Sequence, residues 1–552
     1  MAKDRLPGSL SRFLYGVGET LRFFPDTAFT LQHTAAAAKE KGGVKPFAAY
    51  RLRIKTSLSK MCEQSFFLTL LSRFYRSLFT TRVRSFGVLF FVCGFLQILS
   101  YFLGGYVPFL AGSEKNLLFG VCFVFLTLLC SFSRGDVRDA LKKSLLFRAA
   151  LSPLFGVKSW QIPSGRSRDH FIDMIFLGVV FAFFSVVFSP VAVLLTLCAV
   201  AFALWVFHTP EAGLFTIGGS FFLLPRSVLL SLTVLTLVAF LFKCAVGKRS
   251  LVFSSFDGVL LLSLVPAFFS GKKEVYLLLF QLLTLYYLTS CLLRTLSHLR
   301  RLLICMTLGG VFCALLLCTR AVVESLLPAV LFRFPPLEKV LFLTPSAGMG
   351  TLIVMLFPLT LGLFRSMKGR GKLLLAILTL ALLLGAVFQT RSGALWIALI
   401  LSLLIYFLFT FRSALLWLLS GAFLVVSAWN VLPEEVTQKA LALLGFSRTG
   451  SPEEASGLFQ RCGEAFGFFF WPCVILLFGF FIYQVFRFAA GATTPSAFPQ
   501  VLGTLCGALA FLTVGIQLVP ADERAAVFLF FIVAIPRAAL RCAKREEQCL
   551  PY

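Results

Sequence analysis

The run LLLAILTLALLLGAVF (373–388), the pentapeptide Gln389–Thr390–Arg391–Ser392–Gly393 and the run ALWIALILSLLIYFLFTF (394–411) decide the fold. Both runs are apolar on every face. Neither has the polar stripe of a surface helix on a water-soluble core, so each reads as a membrane-spanning helix. Arg391 then falls at a membrane boundary, between two spans that nearly touch in sequence. An arginine at the bilayer centre costs about 2.5–3.5 kcal/mol on insertion scales. At a boundary it either snorkels as an interfacial anchor or serves an anionic ligand.

The rest of the chain extends this reading. Of its 552 residues 59% are hydrophobic, with mean hydropathy +0.91. That excludes an ordinary water-soluble domain and predicts an all-α, polytopic transmembrane bundle. Net charge is +27. The lysines and arginines cluster in short segments between apolar runs, as the positive-inside rule expects, so nucleic acid is not the expected partner. The four histidines are scattered and no C-x-x-C occurs among the fifteen cysteines, which gives no metal or disulfide framework and no cofactor. Residues 1–30 lack the apolar core of a secretory signal.

Four regions follow. Residues 1–84 are a basic cytoplasmic leader, with fifteen Lys/Arg against five Asp/Glu. Its Ser65–Thr80 stretch mixes phenylalanine and leucine with Arg73 and Arg76, which suits a helix on an anionic leaflet. Residues 85–255 form an N-terminal transmembrane bundle interrupted by a basic cytoplasmic loop, 133–169, in which Asp136–Leu151 is a second surface helix. Here Gly213–Leu224 is short and glycine-rich, a tightly packed or re-entrant segment with Glu211 at its entrance. Residues 256–541 are a second transmembrane region, and 542–552 a cytoplasmic tail. The spans number roughly twelve to sixteen, with short external loops and both termini cytoplasmic in a cell membrane. His298, among Arg294, Arg300 and Arg301, reads as a solvated basic residue.

The order of segments from Phe256 to Arg541 resembles the O-antigen ligase and polymerase family of polytopic membrane glycosyltransferases. Thr344–Pro345–Ser346–Ala347–Gly348, followed by an apolar helix with Pro358, is similar to one span start of that family. Thr390–Arg391–Ser392–Gly393–Ala394–Leu395–Trp396 is similar to another. Gly457–Gln460 with Glu464–Phe468 is similar to its re-entering segment after the large external loop. The resemblance implies transfer or polymerisation of glycan from an undecaprenyl-diphosphate carrier on the outer face. It also implies contact with membrane lipids and with other surface-glycan assembly proteins.

External arginines of the family hold the diphosphate. Arg391 takes that role here by motif, and Arg320, Arg333, Arg448 and Arg461 by position. A guanidinium fork matches phosphate oxygens bidentately. The loop Pro433–Gly457 contains no histidine, so the general base falls to a carboxylate: Glu434, Glu435, Glu453, Glu454 or Glu464. Arg391 and Glu464 are the expected catalytic pair. Two other readings stand beside this one. One is a catalytically degenerate family member acting as an assembly partner. The other is a transporter or flippase of amphipathic substrates, supported by Asp173, Gln281 and Glu211 within apolar segments.

Overall fold

The computed structural model describes residues 80–104, 114–133, 135–144, 171–188, 190–245, 273–326, 347–367, 372–390, 392–410, 470–491, 497–516 and 523–548, with the short pieces 29–30, 252–253, 261, 420–421 and 438. The fold is all-α, a set of long apolar helices. Among the described residues the one sheet is a pair of antiparallel dipeptides, β1 (Phe29–Thr30) and β2 (Val252–Phe253). Among the described residues seven helices are long and apolar enough to cross a membrane, and six further apolar helices are shorter.

The chain forms two compact units. One comprises Pro46–Thr209 with Ala245–Gly247. Its helices are α1 (Val83–Leu103), α2 (Glu114–Ser131), α3 (Val137–Lys143), α4 (Phe171–Phe188) and α5 (Pro190–His208). These helices are inside-out relative to a soluble protein. The buried face of α1 is Ser85, Gly87, Cys93, Gly94, Gln97 and Ser100, while Phe91, Phe95, Leu99 and Phe102 are exposed. Ile172 on α4 is 83% exposed. Large apolar groups face outward where lipid is the solvent, and small residues let the backbones approach. A Cβ on Gly94 would stand 2.8 Å from the carbonyl oxygen of Gly120 on α2. Phe123 fills the remaining space between Phe90 and Phe181, at ring distances of 5.8 and 5.9 Å.

Gln97 Nε2 donates to Ser185 Oγ at 2.8 Å, joining α1 to α4. Interhelical hydrogen bonds in membranes average about 0.6 kcal/mol and reach about 1.7. Gln97→Leu is therefore expected to lower stability by about that amount in a detergent-unfolding titration. A loss of several kcal/mol would refute this modest role.

The other unit comprises Met1–Lys45, Pro210–Cys244 and Lys248–Tyr552. Its helices are α6 (Pro210–Ser220), α7 (Arg226–Ala245), α8 (Lys273–Leu292), α9 (Leu296–Leu326), α10 (Ala347–Ser366), α11 (Lys372–Gln389), α12 (Gly393–Thr410), α13 (Phe470–Gly491), α14 (Phe498–Ile516) and α15 (Glu523–Gln548). Its centre is α10 with α15: 89% of each span is buried, against 28% for α1. The α10–α14 contact is backbone against backbone. A Cβ on Gly503 would lie 2.5 Å from the Pro358 carbonyl oxygen, and one on Gly507 2.6 Å from that of Met355. Gly503 and Gly507 are four apart on α14, the small-xxx-small spacing of close membrane helix pairs.

Side-chain contacts give the helix directions. Gly350 meets Leu395, and Arg365 Nη2 donates to the Thr410 carbonyl at 3.5 Å, so α10 and α12 run parallel. Thr307 pairs with Thr360 at 3.4 Å and Cys313 Sγ with Met349 Sδ at 3.7 Å, so α9 and α10 are antiparallel. Gln500 Nε2 donates to Ser366 Oγ at 2.7 Å, which sets α14 antiparallel to α10. One end of this unit thus gathers the start of α9, the ends of α8, α10, α12 and α15, and Arg294, Arg300, Arg301, Arg365 and Arg541. The opposite end gathers the start of α10, the end of α11 at Thr390, the start of α12, the end of α14 and the start of α15.

Two details differ from the sequence reading. Helix α9 runs from Leu296 to Leu326, past the expected Leu302–Thr319, so Arg300, Arg301 and Arg320 are helical rather than in loops. Backbone hydrogen bonding continues beyond the apolar stretch, because water at a bilayer edge does not end a helix. His298 is half-buried, with its ring edge-on to Phe215 at 6.2 Å, rather than solvated. Apart from residues 261, 420–421 and Thr80, the apolar runs 256–270 and 414–432 and the leader stretch Ser65–Thr80 lie outside the described residues.

Candidate functional site

The candidate site is the junction between the end of α11 at Thr390 and the start of α12 at Gly393, with what packs around it. Helix α11 closes at Thr390, whose backbone N–H and hydroxyl both donate to the Val387 carbonyl, at 3.1 and 2.6 Å. Two donors on one terminal carbonyl satisfy a group that an open helix end would leave bare. Helix α12 then starts at Gly393, and its inward face is Gly393, Leu395, Ala398, Leu399, Ser402, Tyr406 and Thr410.

The start of α10 lies directly against this turn. A Cβ on Gly350 would stand 2.9 Å from Thr390 Cγ2 and collide with Leu395 Cδ1. The described residues of two of the three stretches that carry the family resemblance, Ala347–Gly348 at the start of α10 and Thr390 with Ser392–Trp396, therefore lie at one end of one unit. The next residue back, Met349, touches Cys313 on α9. Arg524 lies in the first turn of α15, which starts at this same end of the unit.

Arg524 is a cation that sequence reasoning passed over, as a span boundary after Asp522 and Glu523. It is only 5% exposed. An arginine in the first turn opposes the helix dipole, where partial positive charge already accumulates. That mismatch was the available signal. Trp396, quoted in the motif, has its indole Nε1–H buried with no hydrogen-bond acceptor among the described residues.

Of the expected site residues, Arg391, Arg333, Arg448, Arg461 and Glu464 lie outside the described residues, as do Glu434, Glu435, Glu453 and Glu454. Arg320 is placed by its backbone, near the end of α9 and the same end of the unit as the turn. Of the polar groups read as lying at depth, Glu211 and Gln281 are buried, whereas Asp173 is exposed in the first turn of α4. Among the described residues no three of His, Cys, Asp and Glu gather as a metal site.

These features define the class: a polytopic α-helical membrane protein whose helices pack through small residues. No family model matches the chain, and no curated protein or solved structure matches it.

Proposed function

We propose that this chain is a lipid-linked glycan ligase or polymerase. It would move glycan from an undecaprenyl-diphosphate carrier to a lipid or sugar acceptor on the outer face of a cell membrane. The observation that supports this best is the contact of Gly350 with Thr390 and Leu395. It brings two family-like span starts together at the end of the bundle opposite the arginine-rich one. By the positive-inside rule the arginine-rich end is read as cytoplasmic, and the α11–α12 junction at Thr390 as facing outward.

The chemistry then follows from charge. When an acceptor hydroxyl attacks the anomeric carbon, the bond to the diphosphate breaks and negative charge builds on its oxygen. A guanidinium fixed there stabilises that charge more than the ground state. Arg391 is assigned this role, with Arg320, Arg333, Arg448 and Arg461 as further cations, and Glu464 as the base that takes the hydroxyl proton. Buried Arg524 adds positive potential at the same end.

Two measurements test the reading. Deleting the gene should remove a polymerised or attached surface glycan. A cysteine at position 391 should react with a membrane-impermeant thiol reagent applied from outside. Labelling from the cytosolic side only would invert the topology and remove the proposal.

A second reading, transport of an amphipathic substrate, has one observation in its favour. Helix α6 has 11 residues, about 16 Å of helix against a hydrocarbon core of about 30 Å. It is buried along most of its length with Glu211 inside. Short helices ending within a bundle are a feature of transporter binding sites. Acceptor-independent movement of labelled glycan lipid in vesicles would mark this reading.

A further inference from the structure

Helix α8 buries several polar side chains around its circumference. Gln281, Thr284, Tyr286, Thr289 and Ser290 are all buried within its apolar length. Helix α15 runs parallel to it and supplies two arginines one turn apart. Arg537 is 5% exposed; its Nη1 donates to Tyr286 Oη at 3.0 Å, and its guanidinium lies 5.6 Å from the centre of that ring. Arg541 Nη1 donates to the Ser290 carbonyl.

Part of this is helix capping. The Ser290 carbonyl is among the last four of α8, which lack a partner within the helix, and a cation is favourable there. Capping does not account for the Ser290 hydroxyl. Its Oγ is buried and makes no hydrogen bond among the described residues. The neighbouring Thr289 hydroxyl donates back to Leu285 at 2.7 Å, the usual recourse of hydroxyls on apolar helices. Gln281 Oε1, two to three turns deeper on α8, is likewise buried and unbonded among the described residues. Nor does capping account for Arg537, a buried cation one turn further into the span than Arg541. Intramembrane charges are costly and mark functional positions.

We propose that the α8–α15 seam seats a phosphate-type anion at the arginine-rich end of this unit. The Arg541 guanidinium and the Ser290 hydroxyl hold it, and Arg537 adds charge from one turn deeper. Phosphate oxygens accept guanidinium hydrogens bidentately, and a serine O–H is a matching short donor. The seat lies where α15 leaves its apolar stretch (span Arg524–Ala543), the depth of lipid headgroups. The phosphate belongs either to an anionic lipid or to free phosphate. The site is at the opposite end of the unit from the 390–392 turn and does not depend on the glycan reading.

The test uses the purified full chain in phosphatidylcholine nanodiscs. Thermal stability is measured as phosphatidylglycerol is incorporated in one arm and inorganic phosphate is added in the other. A stabilising response in the lipid arm assigns the seat to a headgroup, and one in the phosphate arm assigns it to the free ion. In either case Ser290→Ala and Arg541→Gln are expected to weaken the half-saturation point roughly ten- to hundredfold. Ser290→Ala removes one hydroxyl and leaves the carbonyl contact, so it tests the site even if Arg541→Gln folds poorly. Arg365→Gln, at the same end but on α10, should leave the response unchanged. Three results would overturn the proposal: no response in either arm, a full response in Ser290→Ala, or an equal loss in Arg365→Gln, which would mean a diffuse basic surface.

Discussion

Replacing Arg391 with alanine is expected to lower glycan transfer by roughly 10²–10³-fold with normal protein levels. That is the scale set by removing one fixed donor from a transition state that accumulates charge. A diphosphate leaving group carries its new charge on an oxygen that water would otherwise solvate, and at a lipid boundary little water is available. The guanidinium replaces it with a preoriented fork. Arg391→Lys keeps the charge but loses the planar pair of donors, so it should recover only part of the rate. The measurement is initial rate with undecaprenyl-diphosphate-linked glycan in membranes of known protein content. If the loss lies in the chemical step, kcat and kcat/KM fall together. Full activity in Arg391→Ala would end the diphosphate role. It would leave the chain as a non-catalytic assembly partner or a transporter, and complementation with Arg391 and Arg461 both replaced would point to the partner.

The second large effect is structural. Gly309→Ala on α9 is expected to destabilise the unit by at least 1–3 kcal/mol, the usual range for overpacking, and Gly309→Leu to prevent assembly. A Cβ on Gly309 would land on the carbonyl oxygen of Gly219 in α6, and neither partner is a side chain that can rotate away. The two backbones would have to separate. That would also disturb Phe221 and Phe222, which pack against Phe528 at 5.3 and 5.4 Å just beyond α6. The reciprocal change is the control. A Cβ on Gly219 would meet its nearest atom, the Cys305 carbonyl oxygen, at 3.3 Å, tight but short of a collision, so Gly219→Ala should cost less than Gly309→Ala. Detergent-unfolding midpoints of the two variants compare them directly. Equal midpoints would mean that the α6–α9 crossing is not the tight contact described.

Much of the architecture was legible in the chain itself. Phe171–Phe188 is a helix with the bounds its hydropathy predicts, and α11 and α12 flank Thr390 and Ser392 within a residue of expectation. Span positions can be read this way because a bilayer imposes length and apolarity locally, on each segment by itself. Gly213–Leu224 was also legible as unusual, since glycine has no packing reason to cluster in a lipid-facing helix. The candidate site was legible only as a turn. That Gly350 abuts Thr390, or that Met349 touches Cys313, depends on residues distant in sequence.

By itself, then, the amino-acid order determined that the protein is a helical membrane bundle, where most of its spans run and which segments carry the basic charge. Only the tertiary structure decided which face of each span turns inward. It placed Gln97 against Ser185, Gly309 against Gly219 and Arg537 against Tyr286. The reason is that hydrophobicity does not orient a helix when lipid is as apolar as the interior. Orientation comes instead from close backbone approach and polar contacts between helices, which are properties of pairs and leave no periodic mark on either member.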